Sequence, residues 1–527
     1  MNRRVLKIFA VVIVFVLSIP LIFGGCSDKP GETDETTSVS GETPEAHSLK
    51  LPYSQNDKLN PFTAESMLNQ SVCELIYDGL FSLDKNYNAK PMLASNYSQS
   101  GRTLTVTLGS VKFSDGSSVT PSDVVASFNS AKESPAYKSS LAGFGKATVS
   151  GNSVVFELSA DDPYAVNCLT FAVTKGGSTE EKAVGSGRYV LDINAGGAVL
   201  KARSSRTADF SPKIKQISLY GVQDVNSLKY TLAIGNISFA FDDLRLGNYT
   251  RFSASTASVL MNNMVFMTFN KGNSALASEK VRQAISLLVD RSKIADTAFQ
   301  GHAKAAYTPF NPDWNVISGK DYTSTKAAYT PSNPDWNAIL GEDYTITTDI
   351  EAVEKLLDEA GYKTSGGSVR SNGSNALSFK LLVNKDNAFK TQAADYIKEM
   401  LKKANISVTV ESLEEKAYKS AVASGKYDMY IGEIKLSDNM NLSPILLPKG
   451  AVSYGINTSG ASSTAYAAML AGTLDVYEFL EIFNSDLPFL PLCYRSGIAA
   501  YTRSISFDGD AHINDIYADI ESWQFIS

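Results

Sequence analysis

The amino-acid sequence predicts an α/β protein built from more than one lobe, and three observations carry that expectation. Of its 527 residues, roughly 480 follow a polar N-terminal stretch, more than one hydrophobic core accommodates. Residues 379–432 alternate short apolar strands with single helices, the pattern of βαβ units with right-handed crossovers and a largely parallel sheet. From Leu104, LTVTLGSVKFSDGSSVTPSDVVASFNSA runs from a period-2 strand through Asp115-Gly116 into a helix.

The N-terminal segment sets the compartment. Arg3, Arg4 and Lys7 precede an apolar run from Ile8, then Pro20 and the small pair Gly24-Gly25, with Cys26 next. A basic, apolar, small-residue order is that of an export signal. The run is long enough to span a bilayer, so an uncleaved anchor would export the remainder equally well. Residues 27–47 are charged and rich in Ser, Thr and Gly, which predicts a disordered tether because little apolar surface is there to bury.

Removing the signal leaves 45 of 48 basic residues against 55 acids, a net charge of −10. With no dense Lys/Arg run, nucleic acid is excluded as an expected partner. Cys73, Cys168 and Cys493 are widely spaced; they predict buried thiols, with a single bridge as the alternative, rather than a disulfide framework.

Element by element, Thr120 is a good N-cap, Pro121 suits the first helical position and Asp123 the third, and Val124, Val125, Phe128 and Ala131 share a face. The segment from Ser278 spaces Val281, Ala284, Ile285 and Leu288 as a helix. In TTDIEAVEKLLDEAGY, Thr348 and Glu351 form the expected capping box and Gly361 the stop. FKLLVN, a helix through Ala394 to Lys403, ISVTVES, a helix from Glu414 to Gly425, and YDMYIG complete the alternating region.

AAYTPFNPDWNVISGKDYTSTK at Ala305 is followed directly by AAYTPSNPDWNAILGEDYTITT at Ala327, and the 22-residue copies agree at 16 positions. A repeat architecture needs three or more units. The Thr-Pro and Asn-Pro punctuation therefore predicts a tandem duplication at 305–348 within one surface loop.

Catalytic constellations are absent from the sequence. His47, His302 and His512 are the only histidines, and no G-x-S-x-G, H-E-x-x-H, C-x-x-C or G-x-x-x-x-G-K-[ST] occurs. A binding protein is expected, without cofactor, with a tethered extracytoplasmic enzyme as the alternative of a different class. A cleft between lobes is the natural ligand site.

The block LNPFTAESMLNQSVCELIYDGLFSLDKNYNAKPMLASNYSQSGRTLTVTLGSVKFSDGSSVTPSDVVASF (Leu59 to Phe128) resembles the family 5 extracellular solute-binding proteins, the oligopeptide-, dipeptide- and nickel-binding components of ABC importers. VGSGRYVL at Val184, with Arg188 where Pro is usual, FMTFN at Phe266, VRQAISLLVDRSKI at Val281, AVEKLLDEAGY at Ala352, GKYDMYIGE at Gly425 and LPFLPLCY at Leu487 extend the resemblance. It implies a periplasmic-binding-protein type II-like fold, two α/β lobes with a hinge plus an extra subdomain. Residues 48–80, 184–262 and 488–527 would form lobe I, 81–183 the subdomain and 263–487 lobe II, after a lipoprotein signal peptide at 1–25 and a tether at 26–47. IFGGC is similar to a lipobox, so Cys26 is the expected lipidation site. The implied partners are a permease with its ATPase and the outer face of the bacterial cell membrane, reached by a monomer through two acyl chains.

The same resemblance implies a peptide ligand held like an added strand, with an acid shortly after the YDM strand pairing with its α-amine. Asp438 is the first candidate and Glu433 the second. Asn439, Asn441 and Tyr454 are candidate polar lining, and Tyr307, Trp314, Tyr329 and Trp336 of the duplicated loop candidate stacking groups. A nickel or other metal chelate, or another small solute, is the alternative ligand; His302 and His512 support direct coordination of a bare ion poorly.

Overall fold

In the computed structural model, residues 48–526 are described except 196, 205–209, 224–226, 250, 319–348, 374 and 508–509. Cys26, the tether, Tyr329, Trp336 and Thr348 lie outside the described residues.

The chain opens with strand β1 (Leu49–Ser54) and helix α1 (Met67–Ile76). A short hairpin, β2 (Phe81–Leu83) and β3 (Ala89–Pro91), leads to β4 (Ala94–Ser100) and β5 (Thr103–Leu108). Helix α2 (Pro121–Glu133) and strands β6 (Phe144–Ser150) and β7 (Ser153–Leu158) complete an antiparallel sheet of order β4-β5-β7-β6. Thr120 and Asp123 close the predicted capping box, and Val124, Phe128 and Ala131 are fully buried; capping supplies about 1 kcal/mol and the apolar face the packing.

Strands β8 (Tyr189–Asn194), β9 (Gly197–Ala202) and β10 (Gln216–Val222) join β1 in a second four-stranded sheet, where β1 runs parallel to β10. The largest sheet takes β11 (Phe239–Asp242), β12 (Ser255–Phe269), β13 (Ala303–Ala305), β14 (Ser378–Asn384), β15 (Ser407–Leu413), β16 (Met429–Lys435) and β17 (Phe489–Tyr501). Only β15, β14 and β16 are parallel; β11, β12, β13 and β17 pair antiparallel. The expected parallel sheet is therefore a mixed one. The βαβ signal was local to the alternating segment, and the antiparallel strands come from distant parts of the chain.

β12 and β17 are unusually long, and they carry the chain between cores. Val259, Met261 and Ala499 pack with β1 and β10, whereas Val265, Met267, Leu490 and Leu492 pack in the large sheet's own core. Their register breaks between Leu260 and Met264 and again between Val265 and Phe266. Such irregularities bend and twist a strand pair locally, at the point where the pair passes from one core to the other.

The described part of the duplicated segment departs from the expected surface loop. Phe310, Asn311 and Trp314 are almost fully buried, with Trp314 packed edge-on to Tyr164 at 4.8 Å and tilted against Phe310 at 4.9 Å. Punctuation residues correctly signalled irregular backbone, but the aromatic and Ile content of the segment was what decided its burial. The helix after it, Ile350–Glu359, is capped by Asp349, whose side chain accepts from the Ala352 N–H. The cap is thus one residue later than the expected Thr348. Gly361 adopts φ 87° as the predicted stop. Cys73, Cys168 and Cys493 are buried free thiols. No described helix is long and apolar enough to cross a membrane.

Candidate functional site

The site is a cavity of roughly 560 Å³ bounded by α1, the β2–β3 hairpin, the turn after β16 and residues 512–521. Its volume lies in the range of small-ligand sites. A smaller one of roughly 370 Å³, with Lys304, Asn311 and Asp313 in its wall, shares His512 and Ile513 with it.

Local sequence explains how α1 reaches the cavity. Ser66 caps the helix by accepting from the Asn69 N–H, and Val72, Cys73, Leu75 and Ile76 are buried. The other face turns Gln70 and Glu74, one turn apart, into the cavity. The VGSGR segment packs directly on the end of α1: Gly187 N–H donates to Ile76 C=O at 2.9 Å, and a Cβ at Gly185 or Gly187 would overlap the Ile76 backbone. Only glycine permits that approach. It brings Arg188 to the wall, 3.0 Å from Asp515.

On the opposite side, Asp438 lines the cavity on the turn after β16. That turn is pinned on every side. Asn262 of β12, almost fully buried, donates to the Leu436 and Ser437 carbonyls at 3.1 and 3.2 Å. Asn167 Nδ2 donates to the Asp438 carbonyl at 3.3 Å, and Asn439 Nδ2 to Asp162 at 2.5 Å. The backbone is fixed while the Asp438 carboxylate faces the cavity. Burial pushes that carboxyl up to about 6, against the opposing effect of Lys435. A carboxylate so held gains from any cation that replaces the lost water.

Among the described residues, the structure brings Asp438 alone of the sequence-predicted ligand residues to the lining of the larger cavity. Glu433 points elsewhere: Lys390 lies 2.6 Å from it, Arg495 2.7 Å, and Asn263 donates to it at 2.8 Å. Burial opposes its ionisation, but Lys390 and Arg495 override that and hold it down at about 2. Its acceptors are committed inside the protein. Asn439 is engaged with Asp162, and Asn441 accepts from Ser443 N–H at 2.8 Å and Tyr466 OH at 3.2 Å. Tyr454 is exposed outside both cavities. Tyr307 lies under the Arg291 guanidinium, 4.8 Å from ring to charge. Trp314 is core.

Sequence reasoning missed Glu74, Asp515 and the role of Arg188. Two signals were available: Arg188 replaces an expected proline, and Glu74 puts an acid in the last turn of α1, where the helix dipole disfavours negative charge. The Glu74 side chain is exposed, and the protein crowded around it together with the neighbouring Asp515 pushes its carboxyl up, with Arg188 and Lys435 opposing. His512 is pushed down by burial and enters the wall as a neutral ring.

A mixed α/β architecture crossed by two long paired strands, with a charged cavity walled by α1, Asn262 of β12 and the turn after β16, is one suited to holding a small solute. The family model for bacterial extracellular solute-binding proteins, family 5 Middle, matches residues 88–447. The chain belongs to that family. It is 27% identical over 278 residues to the glutathione-binding protein GsiB of Salmonella paratyphi A, covering 47% of this chain and 53% of GsiB. The chain thus spans about half the length of that relative. It is 23% identical over 446 residues to the oligopeptide-binding protein AppA of Bacillus subtilis, covering 79% of this chain and 77% of AppA. The unliganded open form of MppA, a periplasmic murein tripeptide binding protein, superposes with a TM-score of 0.71 at 16% identity over 91% of this chain and 98% of MppA. The last likeness shows the fold.

Proposed function

We propose that this protein is a membrane-tethered receptor of an ABC importer that captures short peptides in the cavity between its lobes and delivers them to the permease. The observation that carries the reading is Asp438: a backbone-pinned, desolvated carboxylate facing the cavity, suited to a peptide α-amine. Family membership, the oligopeptide- and murein tripeptide-binding names of AppA and MppA, and the glutathione-binding name of GsiB support it. In this reading residues 48–80, 184–262 and 488–527 move as lobe I with the subdomain 81–183, and 263–487 as lobe II, closing about β12 and β17. Cys26 carries two acyl chains that hold the receptor at the outer face of the cell membrane. The protein acts by binding, without catalysis.

Titration calorimetry with a tripeptide and its N-acetylated form tests the clamp. Binding of the free-amine form alone, lost in Asp438→Asn, supports the reading; equal binding of both forms contradicts it. A mass increase of the mature chain that Cys26→Ser abolishes tests the anchor.

A further inference from the structure

The tandem duplication is a sequence motif that ligand binding leaves without a use. Its first copy is seated between the tip of the β2–β3 hairpin and β12. Through its Nδ2, the buried Asn311 reaches the Tyr87 hydroxyl at 3.1 Å, the Met261 carbonyl at 3.3 Å and the Asn262 side chain at 3.1 Å. Asn86 Nδ2 donates to the Asp313 carbonyl at 3.2 Å, and Asn315 N–H donates to the Asn86 carbonyl at 2.9 Å. Asn315 Nδ2 also donates to Asn88. Lys304, the residue just before the copy, pairs with Asp313 at 2.9 Å. Phe310 packs against Trp314 and lies 5.7 Å from Phe479, ring to ring. The match is incomplete, because among the described residues the buried Trp314 indole N–H has no acceptor, and an unpaired buried donor weakens the hold of a seat.

The side chains that make these polar contacts recur in the second copy. Asn333, Asp335, Trp336, Asn337 and Ile339 stand 22 positions after Asn311, Asp313, Trp314, Asn315 and Ile317, and Lys326 stands 22 after Lys304. Over the described part of the first copy, the differences are Phe310 against Ser332, Val316 against Ala338 and Ser318 against Leu340. Of the three first-copy side chains, only Phe310 is fully buried. It therefore decides which copy is preferred, since a serine in its place forfeits the aromatic burial. Seating the second copy turns the first into a 22-residue excursion after Lys304 and leaves residues 341–348 to reach Asp349. Such an excursion costs little, because loop-closure entropy grows only with the logarithm of length.

We propose that this seat binds either copy of the duplicated segment, so that the chain exchanges between two registers. The first register is favoured by Phe310 against Trp314 and Phe479. In the second, residues 327–340 of the same chain occupy the seat. Both registers supply a lysine, an asparagine and an aspartate to the wall of the smaller cavity, where Lys304, Asn311 and Asp313 stand. The exchange thus conserves that wall while altering the core behind it, whatever solute the protein binds.

The test is cysteine cross-linking in the full chain carrying Cys26→Ser, where Cys73, Cys168 and Cys493 are buried. Asn88 and Asn315 are exposed, so labelling there needs no unfolding. Asn88→Cys is combined with Asn315→Cys as a first pair or with Asn337→Cys as a second. A short bis-maleimide is added, and linked peptides are quantified by mass spectrometry. The first pair links in the otherwise unchanged chain, and the second links at least about tenfold less. Exchanging the deciding side chains, Phe310→Ser with Ser332→Phe, reverses that ratio, and adding Trp336→Ala returns the second link to its starting level. A second link that the exchange leaves unchanged, that survives Trp336→Ala, or that forms only between two chains overturns the inference. Deletion of residues 305–326 covers the case in which Phe310→Ser unfolds the protein. With Ser332→Phe the shortened chain melts in one cooperative transition; its failure to fold overturns the inference, because the second copy then does not fill the seat.

Discussion

Asn439 of the turn that carries Asp438 donates its side-chain N–H to Asp162, in the segment after β7, at 2.5 Å. Asp162 in turn accepts from the Tyr164 N–H, and the Tyr164 ring packs on Trp314. Asp438 in the cavity wall and the buried Trp314 are therefore joined by one chain of contacts. In the proposed receptor, ligand held by Asp438 and the hydrogen bond to Asp162 would stabilise the same arrangement.

Asp162→Ala leaves the Asn439 amide without its partner, which costs about 1–3 kcal/mol. The predicted result is a roughly tenfold loss of peptide affinity, expressed mainly in the dissociation rate, with the amine requirement unchanged. Stopped-flow dissociation of a fluorescent peptide measures it.

Asp438 makes peptide affinity and empty-protein stability depend on pH in opposite senses. Its folded-state pKa, about 6, lies above the ordinary 3.8, so the native state holds a proton that the unfolded chain releases. That stabilising contribution is complete below pH 3.8 and is lost as pH rises through 6. Peptide binding needs the ionised form and falls as pH drops through 6. Asp438→Asn consequently raises the melting temperature of the empty protein at pH 7.5 by about 2 °C, from about 1 kcal/mol of relieved desolvation after solvent screening. It removes amine-dependent binding. Thermal scans at pH 5 and 7.5, with and without peptide, check both signs.

Glu433 behaves oppositely. Held down at about 2 by Lys390 and Arg495 against burial, it contributes stability above its ordinary 4.5 that is lost as pH falls through 2. Glu433→Gln leaves two largely buried cations, 13% and 2% exposed, without their anion and destabilises the protein by about 3 kcal/mol. Urea unfolding at pH 7.5 reads that loss, and peptide affinity at native conditions stays within about threefold.

Trp314→Ala removes a side chain with no exposed surface and destabilises by about 3–5 kcal/mol through lost burial and a residual cavity. A surface residue there would change stability by less than about 0.5 kcal/mol, so chemical denaturation separates the two placements directly.

Most of the fold was legible because its signals are local. Thr120 and Asp123 declare the start of α2, and the strand–helix alternation from Phe379 declares three parallel strands. What spans long sequence distance was not. β12 meets β17 across more than 200 residues, and no periodicity announces which strands will pair antiparallel. The site divides in the same way. Asp438 does line the cavity, and what singled it out was the family resemblance, which places an acid shortly after a recognisable strand. Glu433 and Tyr454 satisfied the same proximity but lie outside the cavity. Their orientation depends on Lys390, on Arg495 and on the course of the loop, none of which is local. Glu74 went unread because it reaches the cavity only through the packing of α1 on the distant VGSGR segment.

The most direct test of the central claim is native mass spectrometry of the protein purified without refolding, followed by denaturation and sequencing of the released small molecule. The account predicts short peptides with a free α-amine, present in the wild type and absent from Asp438→Asn. A metal chelate, or peptides retained undiminished by Asp438→Asn, would contradict it.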